Sequence, residues 1–130
     1  MRCLVEFARR AAGLAPLTAV ASLGGSARRK SADILRCDEF DHEACGREFS
    51  YWMQRVGYLR GGCWSAAENI AFGTGAAATP REIFTGWIHS SGHRRNILGA
   101  FHDFGVGLRV GSLEGFSGAY VWTQHFGTRC

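Results

Sequence analysis

Apolar residues recur at helical spacing through the first half of this chain, and strict alternation marks two strands on either side of a Gly/Ser-rich run near its end; both patterns place it in the α+β class. Helices come first, a strand and a further helix follow, and an antiparallel hairpin closes the sequence. That order favours α+β layering over a parallel βαβ sheet. With 130 residues, 46% of them hydrophobic and 20% charged, residues 1–130 suit a single domain with a core of its own.

The elements follow in order. From Cys3 to Ala12 the residues Cys3, Leu4, Phe7, Ala8, Ala11 and Ala12 form an apolar helical stripe, with Glu6, Arg9 and Arg10 opposite, and Gly13 and Pro16 end it. A second helix is expected from about Thr18 to Leu35, burying Val20, Leu23, Ala27 and Ile34. Gly24 and Gly25 weaken it by up to ~1 kcal/mol each relative to Ala. The acidic stretch Cys37–Gly46 reads as a surface loop that presents His42 among carboxylates able to raise its pKa. Phe49, Trp52, Met53 and Val56 repeat at i, i+3, i+4 and i+7, a core-facing third helix that Gly57 terminates.

Ala66–Gly73 reads as a strand after a Gly-containing connection. Glu68 is out of place there unless it lies on an exposed edge or is paired in a polar cavity. Small residues from Gly73 to Ala78 form a loop. Thr79-Pro80-Arg81-Glu82 then combines an N-cap Thr, Pro at the first helical position and Glu in a capping-box position, which accounts for Glu82 structurally. The helix buries Ile83, Phe84, Trp87 and Ile88 and is expected to break at Gly92, with His93 just past the break. Phe101 and Phe104 read as core anchors. Gly105–Val110 and Ala119–Phe126 are the strands of the hairpin, joined by a turn over Gly111–Gly118.

Composition narrows the functional classes. The net charge of +4 comes from 15 Lys+Arg against 11 Asp+Glu, and the basic residues are scattered apart from Arg28-Arg29-Lys30 and Arg94-Arg95. A nucleic-acid reader carries a denser basic stripe, so no nucleic-acid partner is expected. No apolar run approaches the ~20 residues of a membrane span, and Met1–Phe7 lacks the apolar core of a secretory signal. Cysteines at 3, 37, 45, 63 and 130 lack the CxxC pairs of structural zinc. Two disulfides and one leftover thiol in an oxidising compartment is the simpler account, with buried free thiols the alternative. Cys37 with Cys45, bracketing the His42 loop, is the favoured pair; the rest of the connectivity stays open.

Several motifs, in order along nearly the whole chain, resemble the CAP superfamily, also called the SCP or cysteine-rich secretory, antigen 5 and pathogenesis-related family, in its compact bacterial form. They are Cys3-Leu4-Val5 with Ala12–Leu17, Phe40-Asp41-His42, Gly57-Tyr58, Glu68-Asn69-Ile70-Ala71, Trp87 through Leu98, Gly105-Val106-Gly107 and Trp122–Gly127. The resemblance implies a three-layer α-β-α sandwich with a small, mainly antiparallel sheet, in a secreted or cell-surface protein. It also implies a polar central cleft lined by two histidines and acidic residues. His42 and His93 match the cleft histidines, Glu68 matches an acidic residue, and Ser90 stands where many eukaryotic members carry a second Glu.

The expected cleft-binding set is therefore His42, Glu68, Ser90 and His93. His42 and His93 suit zinc or another divalent cation, conditionally bound and completed by water, with Glu68 orienting a ligand. His89 is expected to have only a surface role. A binding scaffold ranks first, its partner a small ligand, lipid, cell-wall component or protein and its state monomeric. A metal-assisted hydrolase using water held between His42, Glu68 and His93 ranks second. A serine mechanism through Ser90 or Ser91, His93 and Glu68 ranks last, since no GxSxG elbow is present.

Overall fold

In a computed structural model describing residues 1–130, a four-stranded sheet lies between two helical layers. The elements run α1 (Arg2–Ala11), β1 (Thr18–Ala19), α2 (Ala21–Cys37), α3 (Tyr51–Arg55), β2 (Trp64–Gly73), α4 (Pro80–His89), α5 (Ser91–Ile97), β3 (Asp103–Leu113) and β4 (Phe116–Arg129). Strand order is β1-β3-β4-β2; β1 pairs parallel to β3 and the other pairings are antiparallel. The α+β class and the sandwich expected from the sequence are both present.

Side-chain alternation assigns each face of the sheet its layer. On one face Ile70, Leu113, Ala119 and Val121 pack against Ile34 of α2. On the other, Phe104, Trp122 and Phe126 join Val5 of α1, Ile83 and Trp87 of α4, and Ile97 of α5. The α2 backbone comes very close to the sheet, and glycine is what permits it. A Cβ on Gly105 would lie 2.1 Å from the Gly24 nitrogen, and one on Gly107 would lie 2.2 Å from the Arg28 nitrogen. Gly24, a weak point for the helix in isolation, sits at this contact.

Several sequence expectations change. The apolar stripe of α1 is not its buried face: Phe7 is 70% exposed and Cys3 is exposed, while Val5 and Arg9 are buried. The Arg9 guanidinium donates to the carbonyls of Ala15, Ile97 and Gly99 at 2.8–2.9 Å, so it satisfies the chain leaving α5. Residues 18 and 19 form a short strand, and α2 begins only at Ala21. Of the stripe expected in the third helix only Met53 is fully buried; Trp52 is half-buried because its Nε1 reaches Asp33 at 2.7 Å. Finally, the chain breaks at Ser90, whose backbone is extended, and Gly92 lies inside α5.

The hairpin is longer than its alternation suggested. Most of Gly111–Gly118 pairs, leaving a two-residue turn at Glu114 and Gly115 with φ of 49° and 84°. Positive φ at both turn residues matches the twist of the flanking strands. Thr79 caps α4 as expected, accepting from the Glu82 N–H at 3.3 Å, but the Glu82 carboxylate does not return the bond to Thr79. Disulfides link Cys37–Cys45 and Cys63–Cys130, and Cys3 is the leftover thiol.

Candidate functional site

β2 is an edge strand, and the polar residues converge around it. Its pleat sends Glu68 toward the α2 layer and Asn69 toward the α5 layer. Glu68 lies opposite His125 of β4, and Asn69 opposite Gln124.

On the α2 side Glu68 is 6% exposed, and its two oxygens accept from different imidazoles: His42 Nδ1 to Oε1 and His125 Nε2 to Oε2, each at 2.7 Å. An ionised carboxylate has only acceptors, so both ring nitrogens carry hydrogen. Fully buried His125 turns its Nδ1 to Ser26 Oγ of α2 at 2.7 Å. One turn further along α2, buried Lys30 donates from Nζ to the His42 carbonyl. The Cys37–Cys45 disulfide closes the loop that carries His42.

These contacts set the charges. Burial pushes the Glu68 pKa up, but the bonds from His125 and His42 outweigh it and leave Glu68 below the ordinary value. The same Glu68 bond raises His42, against an opposing effect of burial. Burial lowers Lys30, and the charge of Glu68 works against that shift. Glu68 is thus the paired group in a polar cavity that one sequence reading allowed. With Nδ1 committed, His42 has Nε2 free to face the cleft, and the ring is half exposed.

The α5 side is differently built. His93 lies in α5, and its backbone carbonyl accepts from Asn69 Nδ2 at 3.2 Å. Its Nδ1 is buried with no hydrogen-bond partner. Burial lowers the His93 pKa, and the nearby charge of His42 lowers it further. Asn96 Nδ2 donates to the Glu68 carbonyl at 3.2 Å and to Asn69 Oδ1 at 2.8 Å. Trp87 Nε1 donates to the Ile70 carbonyl at 3.1 Å. Helices α4 and α5 thereby satisfy the outer edge of β2 with side chains.

Of the residues read from sequence, the structure joins His42 to Glu68 directly and sets His93 beside Ser90 on a separate groove of about 470 Å³. His42 and Glu68 border a smaller cavity of about 260 Å³, with Asn96. The serine relay is not assembled, because Glu68 bonds His42 and His125 instead of His93. Ser26, His125 and Glu68 line up in triad-like order, but Ser26 is fully buried and closed to substrate. His89 is exposed and bonds its own helix at the Thr85 carbonyl. No group of three or more His, Cys, Asp or Glu side chains is arranged to hold a metal.

Sequence reading missed His125, Ser26 and Lys30. His125 lies within the Trp122–Gly127 stretch already singled out, and strand alternation could have placed it on the face opposite Trp122, but its pairing with Glu68 depends on the β2–β4 register. Ser26 and Lys30 stand four apart on α2, Lys30 within the basic run Arg28-Arg29-Lys30, where nothing local separates them from a solvated face.

Residues 4–126 match the CAP family, the cysteine-rich secretory protein family. The chain is 35% identical over 127 residues to the uncharacterized protein YkwD of Bacillus subtilis, covering 95% of this chain and 44% of YkwD; it spans less than half the length of that relative. Among solved structures, an outer surface protein from Borrelia burgdorferi superposes with a TM-score of 0.80 at 14% identity, covering 99% of this chain and 90% of that one. An extracellular protein containing an SCP domain from Bacillus anthracis gives 0.74 at 26% identity, covering 94% of this chain and 37% of the other.

Proposed function

The chain belongs to the cysteine-rich secretory protein (CAP) family, and from that premise we propose that it is an extracellular binding scaffold whose cleft takes a divalent metal, zinc above all, at His42 and His93. The observation that carries this reading is the asymmetry of the two rings. Glu68 holds His42 by Nδ1 and leaves Nε2 with a free lone pair, while His93 keeps a buried nitrogen without a partner. A carboxylate behind a ligating imidazole fixes its tautomer and orientation.

Two imidazoles suit zinc, and water would complete the shell. Such a site is weaker than a three- or four-ligand centre, in keeping with conditional occupancy. A bound zinc would supply Lewis acidity at the cleft; the chain's own residues supply orientation through Glu68. Extracellular placement is supported by the Bacillus anthracis and Borrelia neighbours, and no helix is long and apolar enough to cross a membrane. The hydrolase alternative needs a base for water, and both Glu68 oxygens already accept imidazole N–H groups, so the scaffold stands ahead of it.

Calorimetric titration of zinc into chelator-treated protein is expected to show one site at pH about 7.5, lost in His42→Ala and in His93→Ala. Protons compete for the ligands. His42, with its raised pKa, protonates first as pH falls, so affinity should begin to drop above the ordinary histidine range of about 6.5. His93, with its lowered pKa, stays neutral to lower pH. Zinc binding unchanged in both variants overturns the assignment.

A further inference from the structure

The groove beside His93 has features that metal binding does not use. Its walls are largely apolar and aromatic, formed by Phe40, Phe72 and Trp87. Phe40 and Phe72 meet edge to face at 4.9 Å. Three side chains give it polarity: Glu82, Ser90 and His93. At about 470 Å³ it falls within the range of small-molecule sites.

Its charge is specific. Glu82 is exposed and forms no ion pair, and its carboxylate is released from the capping role that its position in sequence suggests. Glu82 is the one Asp, Glu, Lys or Arg side chain in the lining, in a protein whose net charge is +4. Aromatic faces next to an anion favour an organic cation, since ring quadrupole and carboxylate both attract an ammonium group. One turn along α4 from Glu82, Gly86 borders the same groove, and a Cβ there would meet nothing within 4 Å. The helix is open where a ligand body would lie.

We propose that this groove binds a small amphiphilic amine, its apolar body against Phe40, Phe72 and Trp87 and its ammonium group at Glu82. The site adjoins the metal-binding reading but does not require it. Octylamine, octanol and octanoate share one chain and differ in head group, so they separate charge from apolar burial. With EDTA present, titrations followed by NMR shifts of the Phe72, Gly86 and Trp87 amides are expected to show saturable octylamine binding. It should be roughly two- to five-fold tighter than octanol, the scale of one exposed ion pair, with octanoate weakest.

Glu82→Gln should erase the amine's advantage and leave octanol binding unchanged. Gly86→Phe should fill the groove and remove binding of all three, with an unfolding curve confirming that the variant is folded. His42→Ala should leave amine binding intact, which separates this site from the metal site. Absence of saturable octylamine binding overturns the proposal, as does octanoate ranking first or Gly86→Phe leaving octylamine binding unchanged.

Discussion

On the α2 side of the β2 edge, a hydrogen-bonded chain runs from buried Ser26 through buried His125 and Glu68 out to the half-exposed His42, with Lys30 holding the His42 carbonyl. On the α4–α5 side, His93 keeps an unpartnered nitrogen and Glu82 an unpaired carboxylate beside an apolar groove. Both sides draw on the same residue types and differ in whether those residues satisfy each other. A fully connected buried network is rigid and holds its members in one geometry. Unsatisfied groups at a cavity are where binding can add stabilisation that folding did not supply. The α2 side therefore orients, and the α4–α5 side receives.

Deleting one carboxylate on each side gives the largest contrast. Glu68→Ala leaves the buried His125 Nε2–H without its acceptor and buried Lys30 without the carboxylate charge that favours its ammonium, and leaving a buried charge uncompensated costs about 3–5 kcal/mol. Glu82→Ala removes an exposed, unpaired carboxylate from the first turn of α4 and should cost about 0.5 kcal/mol. Urea unfolding of both variants measures the pair; equal losses would break the distinction between the two sides.

Backbone spacing offers the next contrast, at Gly107. A Cβ there falls 2.2 Å from the Arg28 nitrogen and 2.3 Å from the Ala27 carbonyl carbon, backbone atoms that cannot swing aside. Gly107→Ala must push α2 away from β3, and overpacking of this kind costs about 1–3 kcal/mol. Because Ser26 and Lys30 ride on α2, the shift should also loosen the Glu68 network. Zinc affinity measured on the folded fraction should fall along with stability, whereas a stability loss with unchanged affinity would show that α2 does not position His42.

The legibility of these features in sequence tracks how local their causes are. The Thr79-Pro80 start of α4 and the Cys37–Cys45 link lie within a few residues of their partners, and both are found as read. His42, Glu68 and His93 could be named through the family resemblance. The tilt of α1 was not legible, because the burial of Arg9 in place of Phe7 depends on carbonyls at Ile97 and Gly99, some ninety positions away. The break at Ser90 instead of Gly92 is a related case. Glycine is tolerated inside a short helix, and Ser90 is extended where the chain turns from α4 into α5. His125 needed the β2–β4 register, a long-range property, before it could be set against Glu68.

A small effect of the opposite sign lies on the receiving side. Gly86 has room for a Cβ and sits in the body of α4, so Gly86→Ala meets no steric penalty and reduces the freedom of the unfolded chain. Stability should rise by about 0.5–1 kcal/mol, read from the thermal or urea midpoint. A single methyl also narrows the groove without closing it, so octylamine affinity should fall slightly while zinc binding is unchanged. A loss of stability in Gly86→Ala would mean that this helix face is packed and not open, and the contrast with Gly107 would disappear.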